Sequence, residues 1–365
     1  MTERERQVFN IIKTNPVIEQ SELARRLGIS RSSAAAHIGS LQRKGYLLGK
    51  GYIVKEESYI VGVGAANVDI HGKSRESIIM HDSNPGHMHS STGGVTRNVC
   101  ENLSRLGANV KLISAVGDDV YADMIRRDCT AAGIDISRLY SVHSHPSSTY
   151  ISILDENGDM LVALSDMSIL ERLPKEHIKA AEGVLNGACA VTCDPSLPAD
   201  MLEYLLNMVR VPVFIDPVST AYARRMYDFT GRFDTIKPNR MEAEILSGIA
   251  INDDKSLHTA AERILAKGTK RVVISLGAEG CFYSDSAGNE LRRCLKPVSH
   301  MVNATGAGDA FMAGLIFCLT ADKPIEFALD FALGAGMVAL MGANTINELI
   351  SEENVLKTIK ENSKL

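Results

Sequence analysis

The stretch 303–309 of this 365-residue chain, Asn-Ala-Thr-Gly-Ala-Gly-Asp, combines small residues with a single carboxylate. Its small residues Gly306, Ala307 and Gly308 let the backbone turn sharply and approach a ligand closely. An apolar, helix-like run follows, so the next amides would point out of a helix N-terminus, where anions are favoured. Asp309 would stand beside that anion site as a general base, and phosphoryl transfer to an alcohol requires this combination. The stretch therefore predicts a small-molecule kinase that uses ATP.

Apolar, strand-like runs alternate with amphipathic helical patterns from Tyr59 onward. The predicted strands are 59–63, 110–115, 188–192, 211–215, 235–237 and 271–275, and helices are predicted at 98–106, 200–208, 241–247 and 256–266. Asn67 and Asp69 are placed at the end of the first strand. Two further apolar runs flank Asn157-Gly158, a dipeptide typical of a hairpin, which could cover a site as a lid. The alternation predicts a mostly parallel sheet with helices on both faces.

The first 57 residues predict a separate small module. Helices are expected at 3–14, 19–27 and 31–44, the last capped by Ser30, and a two-stranded wing at 47–54. The order of elements resembles the helix-turn-helix core of winged-helix bacterial regulators. Arg43, Lys44 and Lys50 would then meet phosphates. The outward face of the third helix would present five side chains to a major groove: Arg31, Ser32, Ser33, His37 and Ser40. The alternative is a helical packing module that does not contact DNA.

Charge and composition also separate these 57 residues from the rest. They hold 10 Lys and Arg against 6 Asp and Glu, a balance of +4, whereas the remainder holds 29 against 38, a balance of −9. A basic module on an acidic body indicates different partners for the two. Trp is absent and no apolar run reaches the length of a membrane span, which disfavours a stacking nucleic-acid platform and a membrane protein. The seven cysteines include no Cys-x-x-Cys pair, and we expect reduced thiols in a cytoplasmic protein.

Three motifs of the body, taken in their order along the chain, resemble a known enzyme family. They are Gly-Gly-Val-Thr-Arg-Asn at 93–98, Lys-Pro-Asn-Arg-Met-Glu at 237–242, and the small-residue stretch ending at Asp309. The set resembles the ribokinase, or PfkB, family of carbohydrate and nucleoside kinases over about residues 58–360. The resemblance implies a ribokinase-like α/β domain at 58–365, with a mostly parallel sheet sandwiched by helices and a small β lid. A winged helix-turn-helix domain at 1–57 would precede it.

The resemblance also implies roles for individual residues. Asp309 would be the base, and the amides of 306–308 would stabilise the transferring phosphoryl group. Glu242 would orient Mg²⁺ through water, so the expected cofactors are ATP and Mg²⁺. The family usually has Asp where this chain has Asn303, which leaves activation by a monovalent cation open. The implied substrate-binding residues are Asn67, Asp69, Gly93, Gly94, Asn98, Thr149 and Asp166, and the nucleotide-binding residues are Asn239, Ser275, Gly277, Gly280 and Asn344.

A further set of motifs resembles a narrower group, the bacterial pseudouridine kinases. It includes Ser-Asn-Pro-Gly at 83–86, Leu-Ser-Asp-Met at 164–167 and Phe-Ile-Asp-Pro-Val-Ser at 214–219. This group implies phosphorylation of the 5′-hydroxyl of pseudouridine by ATP. The alternatives are another nucleoside or a free sugar as substrate, and a transcription regulator whose kinase-like body only senses a ligand. We expect a homodimer, because DNA-binding heads usually work as dimers.

Overall fold

The computed structural model describes residues 1–48, 58–297, 301–303 and 305–363. The chain divides into two compact units, Met1–Ser58 and Tyr59–Leu365, which we call the head and the body. All seven cysteines are free thiols. Within the described ranges, no helix is both long and apolar enough to cross a membrane.

The described part of the head contains three helices: α1 (Glu3–Thr14), α2 (Gln20–Leu27) and α3 (Arg31–Arg43). Ser30 caps α3, because its side chain accepts a hydrogen bond from the amide of Ser33. Each helix buries one apolar stripe, and the shared core includes Val8, Phe9, Ile12, Leu23, Ala34, Ile38 and Leu41. Most of the predicted wing, with Lys50, lies outside the described residues.

On the face of α3 that was predicted to meet DNA, Arg31 and Ser32 are exposed. Ser33 and His37 on this face are half-buried. Two further residues predicted to meet DNA, Ser40 and Lys44, also make contacts within the head. Ser40 Oγ donates to Glu5 Oε1 at 2.7 Å, and Lys44 Nζ lies 2.7 Å from the same oxygen. The carboxylate of Glu5 is buried and is stabilised by both donors, whereas the Lys44 side chain is 44% exposed, so its contact with phosphates stays a prediction.

The body alternates strands and helices as the sequence predicts. In chain order the elements are β1 (Tyr59–Val63), β2 (Asn67–Ser74), β3 (Gly86–Gly93), α4 (Val95–Arg105), β4 (Asn109–Ile113), β5 (Ala115–Val116), α5 (Val120–Ala131), β6 (Tyr140–Ser141), β7 (Thr149–Leu154), β8 (Met160–Asp166), α6 (Lys175–Ala180), α7 (Glu182–Gly187), β9 (Ala190–Cys193), α8 (Ala199–Met208), β10 (Val213–Ile215), α9 (Thr220–Arg225), β11 (Thr235–Ile236), α10 (Arg240–Ser247), α11 (Asp254–Leu265), β12 (Arg271–Ser275), β13 (Cys281–Asp285), β14 (Glu290–Arg293), α12 (Ala307–Thr320), α13 (Ile325–Leu340) and α14 (Glu352–Asn362).

In the described part of the body, the large sheet has eight strands in the order β14-β13-β12-β11-β10-β9-β1-β4. The strands from β12 to β4 in this order are parallel, and β13 and β14 are antiparallel additions at one edge. Apolar side chains are buried on both faces of the sheet, as a parallel sheet between helices requires. The strand order reverses at β1, and ligands bind such sheets outside the carboxyl ends of the strands near that point.

A second sheet, of four strands within the described residues, has the order β3-β2-β7-β8. Strands β7 and β8 are the predicted hairpin, whereas β2 and β3 were not predicted. Asn67 and Asp69 therefore begin β2 and do not end β1, which stops at Val63. The prediction was wrong because β2 has one open face, so polar and apolar residues alternate along it instead of forming a continuous apolar run.

Candidate active site

The small-residue stretch forms the N-terminus of α12. Gly306 is the N-cap residue, and its φ of 82° lies in the left-handed region that favours glycine. A Cβ at this position would lie 2.0 Å from the carbonyl oxygen of Thr345, so a larger residue would not fit. Residues 301–303, which precede this helix, are not in a strand. The first-turn amides of α12 have no partner within the helix, which makes this end an anion site.

Asp309 lies in the first turn of α12 and is only 9% exposed. Its Oδ2 accepts a hydrogen bond from Nδ2 of Asn98, in α4, at 2.8 Å. Burial raises the pKa of Asp309 to about 7, the hydrogen bond from Asn98 opposes this rise, and the charge of Asp216 adds to it. A carboxylate with a pKa near neutrality is suited to accept a proton from an alcohol at physiological pH.

Two neighbouring strands place an ion pair close to the N-terminus of α12. Asp216 follows β10 and Lys237 follows β11, and Lys237 Nζ lies 2.6 Å from Asp216 Oδ2. Burial acts to lower the pKa of Lys237, but the charge and hydrogen bond of Asp216, together with the charges of Glu242 and Asp309, outweigh burial, and the pKa is raised. A Cβ on Gly308 would lie 3.5 Å from Lys237 Nζ, so the ammonium group stands beside the N-terminus of α12. It therefore adds positive charge to the anion site.

Glu242 lies in the first turn of α10 and is 2% exposed. Asn239 is the N-cap residue of this helix, and its backbone N and Nδ2 each donate to the Glu242 carboxylate at 2.8 Å. Burial raises the pKa of Glu242 to about 7, and the charge of Asp216 adds to the rise. The side chain of Asn239 forms the helix cap, and its predicted nucleotide-binding role stays a prediction.

Three carboxyl groups, those of Asp216, Glu242 and Asp309, surround the single ammonium group of Lys237. A divalent cation would offset this excess of negative charge. Mg²⁺ usually keeps several waters and binds through one or two carboxylates and substrate phosphates. Glu242 fits that mode through water, because both its oxygens already accept hydrogen bonds from Asn239. Across the described ranges, no group of three or more His, Cys, Asp or Glu side chains is placed to hold a metal ion by itself.

A cavity of about 900 Å³, which we call the acceptor cavity, includes Asp309 in its lining. Alternate residues of β2, namely Asn67, Asp69 and His71, line it from one face of the small sheet. The start of α4 adds Gly94 and Asn98, and further polar lining comes from Tyr150, Ser152, Ser165, Ser219 and Tyr222. Amide, carboxylate and hydroxyl groups around a general base suit a substrate with several hydroxyl groups.

Asp69 is held at the wall of the acceptor cavity. Asn67 Nδ2 donates to Asp69 Oδ1 at 2.6 Å, and burial raises the pKa of Asp69. A Cβ on Gly93 would lie 2.2 Å from Asp69 Oδ2. Gly93 therefore contributes space for the carboxylate, although it does not line the cavity itself. The carboxylate can accept hydrogen bonds from substrate hydroxyls.

A second cavity of about 600 Å³, which we call the donor pocket, is lined by Lys237, Ala307 and Gly308 at its polar end. The predicted nucleotide loop lies there too, because Ser275, Gly277 and Gly280 all line it. Most of the remaining lining is apolar and includes Leu295, Phe311, Leu333, Met337 and Leu340. An apolar pocket that ends at an anion site fits a nucleotide, with the base against apolar groups and the phosphates at the helix N-terminus.

The structure places three predicted binding residues away from these cavities. Asn344 lines a separate cavity of about 360 Å³ beside α4 and α5. The chain turns back after α13, so its neighbours Ala343 and Thr345 line the acceptor cavity instead of the donor pocket. Thr149 and Asp166 pair with each other across β7 and β8, but the cavity is lined by the next residues along, Tyr150 and Ser165. Adjacent strand residues point to opposite faces, so an error of one position reverses the side chain.

Sequence reasoning missed two contributors to the site. His71 lines the acceptor cavity, and its Nδ1 lies 2.6 Å from Ser152 Oγ of the neighbouring strand. It falls two residues after Asp69, so recognition of β2 as a strand would have placed it on the same face. Lys237 stands out in the sequence only as part of a motif, although it directly follows a buried strand, and ligands bind outside the carboxyl ends of such strands.

Comparisons with known proteins agree with this arrangement. Residues 57–352 match a family model described as pfkB family carbohydrate kinase, and residues 1–47 match one described as winged helix-turn-helix DNA-binding. The chain is 36% identical to the pseudouridine kinase of Escherichia coli K12 over 309 residues, which cover 84% of this chain and 98% of the relative. It is 34% identical to the uncharacterized sugar kinase YeiI of the same strain over 360 residues, 98% of this chain and 99% of the relative.

A solved structure gives the same fold. The ribokinase of Arabidopsis thaliana, complexed with ribose and ATP, superposes with a TM-score of 0.77 at 20% identity, over 84% of this chain and 99% of that one. The prediction of a ribokinase-like α/β body with a winged helix-turn-helix module before it is thus confirmed.

Proposed function

Because the chain belongs to the pfkB family of carbohydrate kinases, we propose that it transfers the γ-phosphoryl group of ATP to the 5′-hydroxyl of pseudouridine. One observation carries the proposal: the N-terminus of α12 contributes to both cavities. Asp309 lines the acceptor cavity, and Ala307 and Gly308 line the donor pocket. An acceptor hydroxyl and a nucleotide phosphate would therefore meet at one anion site with a base beside it.

The reaction follows from this placement. The acceptor oxygen attacks the γ-phosphorus and forms a new O–P bond, while the bond from phosphorus to the bridging oxygen of ATP breaks. Asp309 accepts the hydroxyl proton, and ADP leaves with the bridging oxygen. The amides of Gly306, Ala307 and Gly308, with Lys237, stabilise negative charge on the transferring group. Mg²⁺, oriented by Glu242 through water, would neutralise charge on the phosphates.

Pseudouridine is proposed as the acceptor for two reasons. The 36% identity to a pseudouridine kinase extends over 84% of this chain. The acceptor cavity, at about 900 Å³, also has room for a base beside a ribose, with His71, Ser152 and Ser165 on the small sheet available to a polar base edge. A different nucleoside or a free sugar remains the competing acceptor, because the second relative is known only as a sugar kinase.

An ATP-consumption panel tests the proposal with the full chain and pseudouridine, uridine, inosine, cytidine, ribose and fructose. We expect the highest kcat/KM for pseudouridine. A clear preference for fructose or inosine would refute the substrate and leave the kinase assignment standing. Failure of every acceptor would favour the alternative in which the body only senses a ligand.

DNA binding by the head is proposed as a second function, favoured by the match of residues 1–47. Arg31 and Ser32 are exposed at the start of α3. Arg31→Ala should weaken binding to a selected genomic fragment by about 1–3 kcal/mol if it reads a base edge. Lys13→Ala, an exposed cation of α1, is the control and should leave sequence preference unchanged. Gel shifts at two salt concentrations measure the binding of both variants. If the selection enriches no fragment, the head is a packing module.

We also propose that the chain works as a cytoplasmic homodimer with separable domains at 1–57 and 58–365. Free thiols at all seven cysteines favour a reducing compartment. Strand β8 exposes a run of apolar side chains that a second copy could cover: Met160, Leu161, Val162 and Leu164. Light scattering measures the oligomeric state of the full chain and of a variant starting at Glu57, and the ATP-consumption assay measures their activity. We expect dimers and retained kinase activity for both proteins.

A further inference from the structure

Arg97 is among the most deeply buried charged residues of the body, at 2% exposure. Its Nη1 donates to the carbonyl oxygen of Thr92 at 3.2 Å and to Oδ1 of Asn98 at 3.0 Å. Its Nη2 donates to Glu101, one turn further along α4. A buried guanidinium held by three acceptors has a fixed position, so it can orient the groups that it contacts.

The contact with Asn98 settles which way that amide points. A guanidinium group has only hydrogen-bond donors, so the side chain of Asn98 must present its oxygen to Arg97. Its NH2 group then faces the opposite direction, toward Asp309, where Nδ2 donates to Oδ2 at 2.8 Å. The reverse orientation would set the oxygen against the carboxylate and the NH2 group against the guanidinium. Arg97 therefore makes the donating orientation the only favourable one.

We propose that Arg97 is a positioning residue for the reaction, which acts through Asn98 to keep a hydrogen-bond donor on the carboxylate of Asp309. The proposal rests on the proposed function, in which Asp309 is the general base. Arg97 touches neither the acceptor nor the nucleotide in this assignment. Its effect is on the ionisation and direction of the base.

The other charged groups around Asp309 make this donor important. Asp216 and Asp194, which follow β10 and β9, both disfavour the ionised form of Asp309, while Lys237 after β11 favours it. The hydrogen bond from Asn98 is the largest effect that lowers the pKa of Asp309 against burial. Release of the Asn98 amide would remove this effect, and rotation of its oxygen toward Asp309 would add repulsion. In either case the pKa of Asp309 rises and the base is ionised only at higher pH.

Arg97→Lys tests the proposal in the full chain. A lysine can still pair with Glu101, but one ammonium group on a shorter side chain cannot also hold the oxygen of Asn98 in a fork. The acid limb of kcat/KM, measured with ATP and the best acceptor of the panel, should move to higher pH by about one unit. The KM for ATP should not change, and the rate should approach that of the wild type at alkaline pH.

Arg105→Lys is the matched control. Arg105 pairs with the other oxygen of Glu101, at 2.8 Å from Nε to Oε1, and does not contact Asn98. The Arg105→Lys substitution should lower the thermal stability of the protein and leave the acid limb of kcat/KM at its wild-type pH. An Arg97→Lys variant with a wild-type acid limb would overturn the proposal, and so would an equal shift in Arg105→Lys.

A second variant covers the case in which Arg97→Lys does not fold. Arg97→Met combined with Glu101→Gln removes both buried charges together, so neither is left unpaired. The same upward shift is expected, and an unchanged limb would refute the proposal. Failure of the proposed function itself is separately visible, as a wild-type protein that phosphorylates no acceptor or an Asp309→Asn variant that keeps full activity.

Discussion

The head and the body each contain a cluster in which a lysine pairs with a buried carboxylate, and the two clusters differ in charge balance. In the head, Lys44 Nζ lies 2.7 Å from Glu5 Oε1, and the same carboxylate accepts from Ser40 and from the Thr2 amide. In the body, Lys237 lies 2.6 Å from Asp216, but Glu242 and Asp309 add two further carboxyl groups. One cluster is neutral, and the other has an excess of negative charge.

The pKa values follow the balance. Hydrogen bonds from Lys44, and then from Ser40, lower the pKa of Glu5 to about 2. Burial, reinforced by Asp216, raises the pKa of Glu242 and of Asp309 to about 7. A carboxylate whose charge is balanced by a cation and hydrogen-bond donors of the protein stabilises the fold. A carboxylate whose charge is not balanced in this way can bind a proton or a cation. The difference separates a structural cluster from the cluster that we propose to be catalytic.

The largest expected effect is that of Asp309→Asn. Loss of a positioned base should lower kcat by roughly 10²- to 10⁴-fold, while ATP binding persists. Asp166→Asn is the control, because the structure places this exposed residue off the acceptor cavity, where it accepts from the Ser168 amide at 3.0 Å. Single-turnover assays with both variants measure the effect. Wild-type turnover in Asp309→Asn would refute the assignment of the base.

The same substitution should stabilise the body. The folded-state pKa of Asp309, about 7, lies above its ordinary 3.8, so the folded state favours the protonated form. Stability is therefore lost as pH rises from about 4 to 7. Asp309→Asn removes this loss, and its thermal unfolding midpoint should exceed that of the wild type at pH 8. A lower midpoint would mean that the charge of Asp309 is balanced, as in the head.

Next in size is the pH dependence of the wild-type rate. Asp309 must be ionised to accept a proton, so kcat/KM should fall about tenfold for each pH unit below a pKa near 7 and level off above it. Burial, and then the charge of Asp216, raise the pKa of Glu242 into the same range, so the apparent pKa belongs to the cluster. An acid limb near pH 4 would show that burial and Asp216 do not raise the pKa of the base above its ordinary value.

Sequence reasoning located the parts of the site that are encoded locally. Gly306 needs a positive φ and Asn239 is a helix cap next to its partner Glu242, so both can be recognised from short stretches. The face of the small sheet could not be found in this way. His71 meets Ser152 from 81 residues away, and this pairing depends on strand register and not on local pattern.

The partners of the charged residues could not be predicted from local sequence either. Asn98 and Asp309 lie 211 residues apart, and Glu5 and Lys44 lie 39 apart. Lys44 was predicted to meet DNA phosphates, and this stays a prediction because its side chain is 44% exposed. Only the fold reveals that the same ammonium group pairs with the buried carboxylate of Glu5. Sequence therefore predicts which residues carry charge, but not whether each charge is balanced.

Glu242→Gln should have a smaller effect than loss of the base. The substitution removes the negative charge that orients Mg²⁺ and keeps one oxygen for the Asn239 amide. The Mg²⁺ concentration for half-maximal rate should rise about tenfold, as for other groups that act on a metal through an intervening ligand. Glu244→Gln on the same helix, where the glutamine oxygen can still accept from the Ile251 amide, is the control. Identical Mg²⁺ titrations for the two variants would reduce Glu242 to a helix cap.

The smallest effect is expected in the head, from Glu5→Gln. The change should loosen α1 and α3, because a neutral amide cannot match the three donors that surround the carboxylate. Hydrogen exchange of the full chain at pH 7 measures this as faster exchange of amides in residues 1–47, with the strands of the body as an internal reference. Glu22→Gln is the control, since Glu22 also has a pKa lowered to about 2 but pairs with exposed Arg25 and Arg26 of its own helix.

The sign of its pH dependence distinguishes this cluster from that of the body. The folded-state pKa of Glu5, about 2, lies below its ordinary 4.5, so its stabilisation is complete above about pH 4.5 and is lost as pH falls toward 2. The difference in exchange between wild type and Glu5→Gln should therefore shrink below pH 4.5. Glu5→Gln should destabilise the head at neutral pH, whereas Asp309→Asn should stabilise the body. If both substitutions change stability in the same direction, charge balance does not distinguish the two clusters.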